Sequence, residues 1–295
     1  AMDSERGYDE KLWTLLCEQV GAAALVVPED LGGAGGALGD AAVVLEVLAR
    51  NLVPTPLLGT TLAELALLAA DAPDADVLGA LAEGASIGTV VFDPGFVVNG
   101  DVADVVIGTD GATTTRATTF EARPLVAMDP TRRLAAVDVT ASEPLGPDPG
   151  LADLAAILVA AEQVGAASRC LDLTVAYTKD RVQFGRPIGS FQALQHRMVD
   201  MHMELEQSVS AVYLAVLNLE ADAHTRARAV SAAKATVGRA ARFIGQNAVQ
   251  LHGGMGMTEE LAIGHYFKRL TMIENTLGDT DYHLRRVSEG GGLLA

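Results

Sequence analysis

The chain has 295 residues, 49% of them hydrophobic, enough for one large domain or two to three smaller ones, which excludes disorder as a global state. Lys and Arg total 21 against 38 Asp and Glu, and the formal net charge of −17 excludes nucleic acid and anionic membrane as main partners. An anionic ligand would need a local basic site. Cys17 and Cys170 are far apart and show no metal spacing, so neither a disulfide framework nor a cysteine-held metal is expected. The start, Ala-Met-Asp-Ser-Glu-Arg, lacks the basic region and apolar core of a signal peptide. Apolar runs such as 154–161 fall short of the ~20 residues that span a bilayer. A cytoplasmic protein with no membrane span is the expectation.

Residues 8–27 read as a helix with a short apolar exit, since Leu12, Leu15, Leu16 and Val20 recur at helical spacing around Trp13. The Gly-rich stretch 26–36 lacks the strand, the helix and the Lys-Ser/Thr of a phosphate-binding loop, and reads as a turn. Asp40 caps a helix over 40–51, stopped by Pro54 and Pro56. Helices over 59–70 and 75–83 complete an all-helical block. From Ile87 the texture changes to short alternating runs with turn residues between them: 88–92, 96–98, 105–108, 113–120, 124–128 and 134–139. These make a small β-domain of about 60 residues that must lean on helical neighbours for burial. Helices return over 151–180, 191–222, 225–251 and 259–276, the second with apolar residues every three or four positions from Leu194 to Val216. A turn at 277–281 and a short tail follow. The expected domains are 1–86 (helical), 87–148 (β) and 149–295 (four-helix bundle), a mixed α and β fold that is mainly α.

Residues 179–202 carry the most chemistry. Pro187 cannot continue a helix and Gly185 and Gly189 free the backbone, so this is a hinge between two helices, with Ser190 as candidate N-cap. The corner groups Arg181, Gln183, Phe184, Phe191 and Gln192, with Arg186 and Gln195 beside them. A cation, flat apolar rings and amides suit an anionic aromatic ligand such as a dinucleotide. They also suit a plain helix–loop–helix corner, and the residues alone leave both open.

Arg-x-Gln-Phe-Gly at the first corner of the bundle and Gln-Leu-His-Gly-Gly-Met-Gly at the third, with Val-Pro-Glu and Gly-Gly at 27–33, resembles the acyl-CoA dehydrogenase family over nearly the whole chain. The resemblance implies an α-domain, a β-domain and a C-terminal four-helix bundle, with FAD at a subunit interface. It places a cross-interface grip on the adenosine diphosphate half of FAD at Arg181, Gln183, Phe184, Phe191, Gln192, Gln250, Gly253 and Gly254. Arg181 would offer a forked cation to pyrophosphate, and the glycines close backbone approach. Taken alone, the Gly253-Gly254 pair is also a helix C-cap.

The resemblance implies that a Glu removes the α-proton of an acyl-CoA while hydride leaves the β-carbon for flavin N5. At the matching position, before Gly278, stands Leu277, and at the family's alternative position stand Ala155 and Ala156. None of these accepts a proton, so no catalytic residue is assigned. Glu162 and Glu274 lie nearby in sequence and read as structural. The strand that bears a flavin-packing Trp in the family runs here as Phe96-Val97-Val98-Asn99-Gly100. The pattern resembles the short subunits of heteromeric (α2β2) bacterial steroid-CoA dehydrogenases.

The expectation is therefore an FAD-dependent α,β-desaturation of an acyl-CoA, possible steroid side-chain thioesters included, by a base-lacking subunit with a second family member as partner. An electron-transfer flavoprotein is the acceptor the resemblance implies. The alternatives are a self-sufficient homo-oligomer with an unusual base and a non-catalytic scaffold. His196, His202, His224, His252, His265 and His283 show no zinc motif, so no metal is expected. Asp279 and Asp281 stand where the family touches flavin, or in a solvated turn. Lys268-Arg269 and Arg285-Arg286 read as solvated faces in preference to partners for the acidic excess or for CoA phosphates.

Overall fold

A computed structural model describes residue 4 and residues 6–258 and 260–291. Glu259, the expected first residue of the last bundle helix, lies outside them, as do 1–3, residue 5 and 292–295. The chain divides into two compact units, one of residues 1–45 and 53–158, the other of 46–52 and 159–295.

The first unit begins with α1 (Glu10–Leu15), capped by the Asp9 carboxylate, which accepts from the Lys11 and Leu12 amides. A π-helical turn, Leu16–Val20, continues it and ends at Gly21 in the left-handed region. The expected helix and apolar exit over 8–27 are both present: the helix ends at Val20, Gly21 closes the turn and the chain leaves as a loop. In that loop Gly33 and Gly35 donate to the Pro28 and Val27 carbonyls, so 26–36 is the compact turn its glycines foretell. Then come α2 (Leu38–Arg50), α3 (Leu57–Leu68) and α4 (Ala75–Ala82). The Trp13 indole, 4% exposed, donates to the Gly84 carbonyl at 3.0 Å and pins the first turn to the end of α4.

Strands β1 (Gly88–Val91), β2 (Val97–Val98), β3 (Val105–Thr109), β4 (Thr113–Leu125) and β5 (Leu134–Pro147) form one sheet in the order β1-β3-β4-β5-β2. Only β1 and β3 run parallel. Val97, Val106, Ala135 and Val137 make its core. The expected pair of strands 113–120 and 124–128 is a single strand, because Arg123 and Pro124 keep pairing with Ala136 and Ala135; residues 126–128 fall outside it. Likewise β5 runs on past Val139 to Pro147. Bulges near Thr115 and Thr119 absorb the register shifts of so long a ribbon. The sheet leans on α3, as a small β-domain must: the Thr60 hydroxyl accepts from the Gly88 amide at 3.2 Å.

The second unit holds α5 (Leu151–Asp180) from Val159 on, a two-stranded hairpin β6 (Val182–Gln183) and β7 (Arg186–Pro187), α6 (Gln192–Leu217), α7 (Ala223–His252), α8 (Ile263–Asn275) and α9 (Thr280–Glu289). Helix α7 packs against α6, α8 and α9. The four expected helices are all present and a fifth, α9, replaces the expected tail: Asp279 caps it by accepting from the Tyr282 amide, and Val287 and His283 are buried. By length and composition α5 alone among the described helices could cross a membrane, but 89% of its apolar window is buried inside the protein, as in a core helix. The end of α2 belongs to this unit. Arg50 meets Asp172 at 2.5 Å and the Ser168 hydroxyl, and the Tyr266 hydroxyl donates to the Arg50 carbonyl at 2.6 Å. A side chain at Gly165 would run into the Glu46 backbone.

Glu64 of α3 is 0% exposed and neither carboxylate oxygen has a hydrogen-bond partner among the described residues. Burial raises its pKa well above the ordinary carboxylate value, so it folds as the neutral acid. Its stabilising effect is present below the unfolded pKa and is lost as pH rises toward the folded one. Glu64→Gln should therefore gain stability over wild type by about 1.4 kcal/mol per pH unit above ~4.3, until the folded-state pKa is reached. Urea unfolding followed by the fluorescence of Trp13, at pH 5 and pH 8, measures that widening gap; a gap independent of pH would contradict it.

Candidate functional site

The corner forms where α5 ends. Residues Phe184 and Gly185, at φ 54° and 76°, make the two-residue loop of the β6–β7 hairpin, with Gln183 paired to Arg186. A phenylalanine in the left-handed region costs of order 1 kcal/mol, and here its ring is 90% exposed, so no local burial offsets the strain. The ring meets Phe191 edge to face at 6.1 Å, and the Arg186 guanidinium sits 4.1 Å over Phe191. Arg186 is thus engaged with an aromatic face. Arg181 is exposed and forms no ion pair with any described residue.

Helix α6 starts with Phe191 as its N-cap and no side-chain cap bond. Ser190, the expected cap, instead donates from its hydroxyl to the Pro187 carbonyl at 2.7 Å, because a 3₁₀ turn, Ile188–Ser190, intervenes. Gln195 donates to the Gly189 carbonyl at 2.9 Å. Gln192 is exposed and Phe191 half-buried.

The third corner comes to the first through one contact that sequence reading missed. Tyr177, one helical turn before Arg181, stacks on His252 with ring centroids 4.2 Å apart. This joins the C-terminal ends of α5 and α7. The Arg197 guanidinium, donating to Asn247 at 2.9 Å, joins α6 to α7 nearby. Gln250, Gly253 and Gly254 are exposed on this end of the unit. Gly253 has φ 60° and ψ −144°, a conformation reserved for glycine. Gly254 has no such constraint, yet a Cβ there would meet nothing within 4 Å, so the glycine leaves open space and a bare backbone.

The residues present fit the adenosine diphosphate part of FAD. An unpaired guanidinium, exposed amides, two aromatic rings and a bare glycine backbone match a pyrophosphate, a ribose and an adenine. All eight expected grip residues lie in the second unit.

The expected base positions are equally informative. Ala155 and Ala156 are 0% and 1% exposed and belong to the core. Leu277 is at φ 60°, its carbonyl held by His283 Nε2 at 3.0 Å. The Lys234 ammonium, 1% exposed, donates to the Ile273, Glu274 and Gly278 carbonyls at 3.2, 3.0 and 3.3 Å. Glu274 is buried and committed: it accepts from Arg242 at 2.8 Å and from the Thr280 hydroxyl at 3.0 Å. Glu162 is 7% exposed. Asp279 is the α9 cap. Arg269 is buried rather than on a solvated face, since it lies on the inner side of α8. No cluster of metal-ligating side chains occurs among the described residues. Lys234, Arg242 and Tyr177 carry no motif; only the packing of α7 against its neighbours reveals them.

The sequence model described as "Acyl-CoA dehydrogenase, C-terminal domain" matches residues 151–292. The chain is 56% identical over 287 residues to Acyl-CoA dehydrogenase IpdE2 of Mycolicibacterium smegmatis, covering 97% of this chain and 90% of that one. It is 58% identical over 269 residues to IpdE2 of Mycobacterium tuberculosis, covering 91% and 83%. Among solved structures, a variant of the Tcur3481-Tcur3483 steroid ACAD superposes with a TM-score of 0.89 at 27% identity, over 98% of this chain and 90% of that chain. The ChsE4-ChsE5 complex from Mycobacterium tuberculosis shares the fold, with a TM-score of 0.87 at 23% identity over 98% and 89%. The chain belongs to the acyl-CoA dehydrogenase family, oxidoreductases that act on CH–CH bonds, and the family implies FAD.

His252 is 6% exposed; burial lowers its pKa below the ordinary histidine value. Its Nδ1 faces the Ala248 carbonyl at 2.7 Å, so the proton of the neutral ring sits on Nδ1. In a nitrogen-15 NMR titration His252 should show a midpoint below the ordinary histidine value, its neutral ring the Nδ1–H tautomer, and Tyr177→Ala should move that midpoint up by admitting water. A midpoint above 6.5 in the wild type would contradict the stack as drawn.

Proposed function

We propose that this chain is one subunit of a two-chain acyl-CoA dehydrogenase, gripping the adenosine diphosphate half of FAD while a second family member supplies the general base. The observation that carries this reading is the corner itself. Phe184 is held in a strained, exposed turn beside an unpaired Arg181, which suits a clamp with only one jaw on this chain. The proposed grip is Arg181, Gln183, Phe184, Phe191, Gln192, Gln250, Gly253 and Gly254. Its domains would be 1–86, 87–148 and 149–295.

The missing base supports the division of labour. Leu277, Ala155 and Ala156 carry no proton acceptor, and the Glu274 carboxylate already accepts from Arg242 and Thr280. Two structural neighbours are chain pairs, Tcur3481-Tcur3483 and ChsE4-ChsE5, and the first is a steroid ACAD. The substrate class we propose is accordingly a steroid-derived acyl-CoA thioester, with an electron-transfer flavoprotein as acceptor.

Bound FAD supplies the two-electron acceptor for desaturation next to the thioester. The residues of this chain bind and orient. Arg181 neutralises pyrophosphate charge on a protein that is otherwise strongly acidic, and Phe184 and Phe191 shield one side from water.

The test is flavin content. Purified alone, the chain should hold little FAD; co-expressed with a longer family member that carries the Glu, it should yield about one FAD per pair. Arg181→Ala in that pair should weaken FAD retention about tenfold or more, the scale of one charge-assisted contact. Flavin near one per chain in the solo sample would overturn the two-chain reading.

A further inference from the structure

Asp and Glu make up 38 of the 295 residues, yet none of the 30 residues of α7 is acidic, and five are Arg or Lys. Burial accounts for part of this, since many α7 positions, Lys234 among them, face the core. It does not account for the exposed positions. There, where much of the chain turns carboxylates to water, α7 presents Arg239, Arg242, Gln246 and Gln250. At 100° per residue these four fall within about 40° of a single line along the helix. The line is about 16 Å long at 1.5 Å per residue, and it ends one turn before Gly253 and Gly254.

Neither guanidinium on this line is satisfied by an acid. Arg239 is 65% exposed and meets Glu204 only at 3.9 Å, long for an ion pair. Arg242 gives one N–H to Glu274 at 2.8 Å and keeps 59% of its side chain exposed. An Arg fork has five donors, so most stay available. Residues three apart on a helix are neighbours, so the two cations repel one another with no acid on the line to offset them. An anion laid across both removes that repulsion. Gln246 adds an amide next along the line, and Arg197 of α6 adds a third guanidinium, bonded to Asn247 at 2.9 Å. Planar forks side by side match the oxygens of a phosphate. On a chain of net charge −17 the overall field repels anions, so such a group can be held only by local donors of this kind.

We infer that Arg239, Arg242 and Gln246 form a second anion site, for a phosphate group, on the outer face of α7 and apart from the flavin corner. Arg242 and Gly253 are about 16 Å apart along the helix, too far for one diphosphate to reach both. Two sources carry the required group: CoA, the carrier half of an acyl-CoA, through its 3′-phosphate or its diphosphate, and free inorganic phosphate. The site is a property of this chain alone and is independent of the two-chain reading above.

Calorimetric titration of the full chain with CoA, dephospho-CoA and inorganic phosphate tests it. Arg239→Gln and Arg242→Gln should each weaken binding about tenfold, the scale of one charge-assisted contact, with the circular dichroism unchanged. Glutamine at 242 keeps an N–H for Glu274, and Arg239→Gln breaks no short contact, so loss of fold does not mask the result. A tenfold preference for CoA over dephospho-CoA, lost in the variants, assigns the site to the 3′-phosphate. Equal binding of the two, with competition by inorganic phosphate, assigns it to the diphosphate. Binding of inorganic phosphate alone, lost in the variants, assigns it to the free ion. Arg181→Ala, in the flavin corner, should change none of these affinities; a loss there in place of Arg239 and Arg242 would put CoA in the corner and overturn the inference. Variants that bind all three probes as wild type does, or no binding of any probe at millimolar concentration, would overturn it too. So would protection of the two arginines from phenylglyoxal by an acidic partner chain and not by CoA or phosphate. Flavin content is not read in any arm, so failure here and failure of the two-chain reading are told apart.

Discussion

A helix that is apolar on every side cannot face water, and α5 is such a helix. From Ala155 to Ala167 every residue is buried, Glu162 and Gln163 included. Burying each Leu, Ile or Val of that stretch is worth roughly 1.5–3 kcal/mol, so the chain gains most by wrapping it. Inside the second unit this obligation fixes much else. Gly165 lets the end of α2 lie on α5 backbone to backbone, and Gln163 donates to the Leu270 carbonyl of α8 at 3.3 Å. Near its C-terminus α5 emerges from burial, and there the exposed, charged corner begins.

The corner is local structure placed by long-range packing. The hairpin loop takes its shape from Phe184-Gly185, but its position relative to Gly253 depends on the Tyr177–His252 stack. A surface assembled from two helix ends in this way needs both ends held, and the stack and the Arg197–Asn247 bond hold them.

What could be read from the sequence follows this division. Helices α5 to α8 were legible from long stretches free of turn residues, and α6 also from apolar positions that repeat every three or four residues. The two corners were legible as turns because Arg-x-Gln-Phe-Gly and the His-Gly-Gly turn are local patterns. Helix α9 was not: Leu-Gly-Asp-Thr-Asp looks like a turn, and a ten-residue helix with only His283 and Val287 buried has little apolar periodicity. Strand β4 was expected as two runs, 113–120 and 124–128, yet its pairing with β5 continues through Arg123 and Pro124, where the ribbon has run beyond β3 and a proline is tolerated. Tyr177, Lys234 and Arg242 act across sequence separations that no local pattern records.

Lys234 has one further consequence. Its ammonium holds two carbonyls at the end of α8, those of Ile273 and Glu274, together with the Gly278 carbonyl of the turn that follows. Swinging the 276–279 turn outward would take the Gly278 carbonyl away from this buried ammonium, the loss of one hydrogen bond to a charged group, about 1.5–3 kcal/mol. The turn is therefore tied to the end of α8 through a side chain of a third helix, so a displacement of any one of the three is felt by the other two.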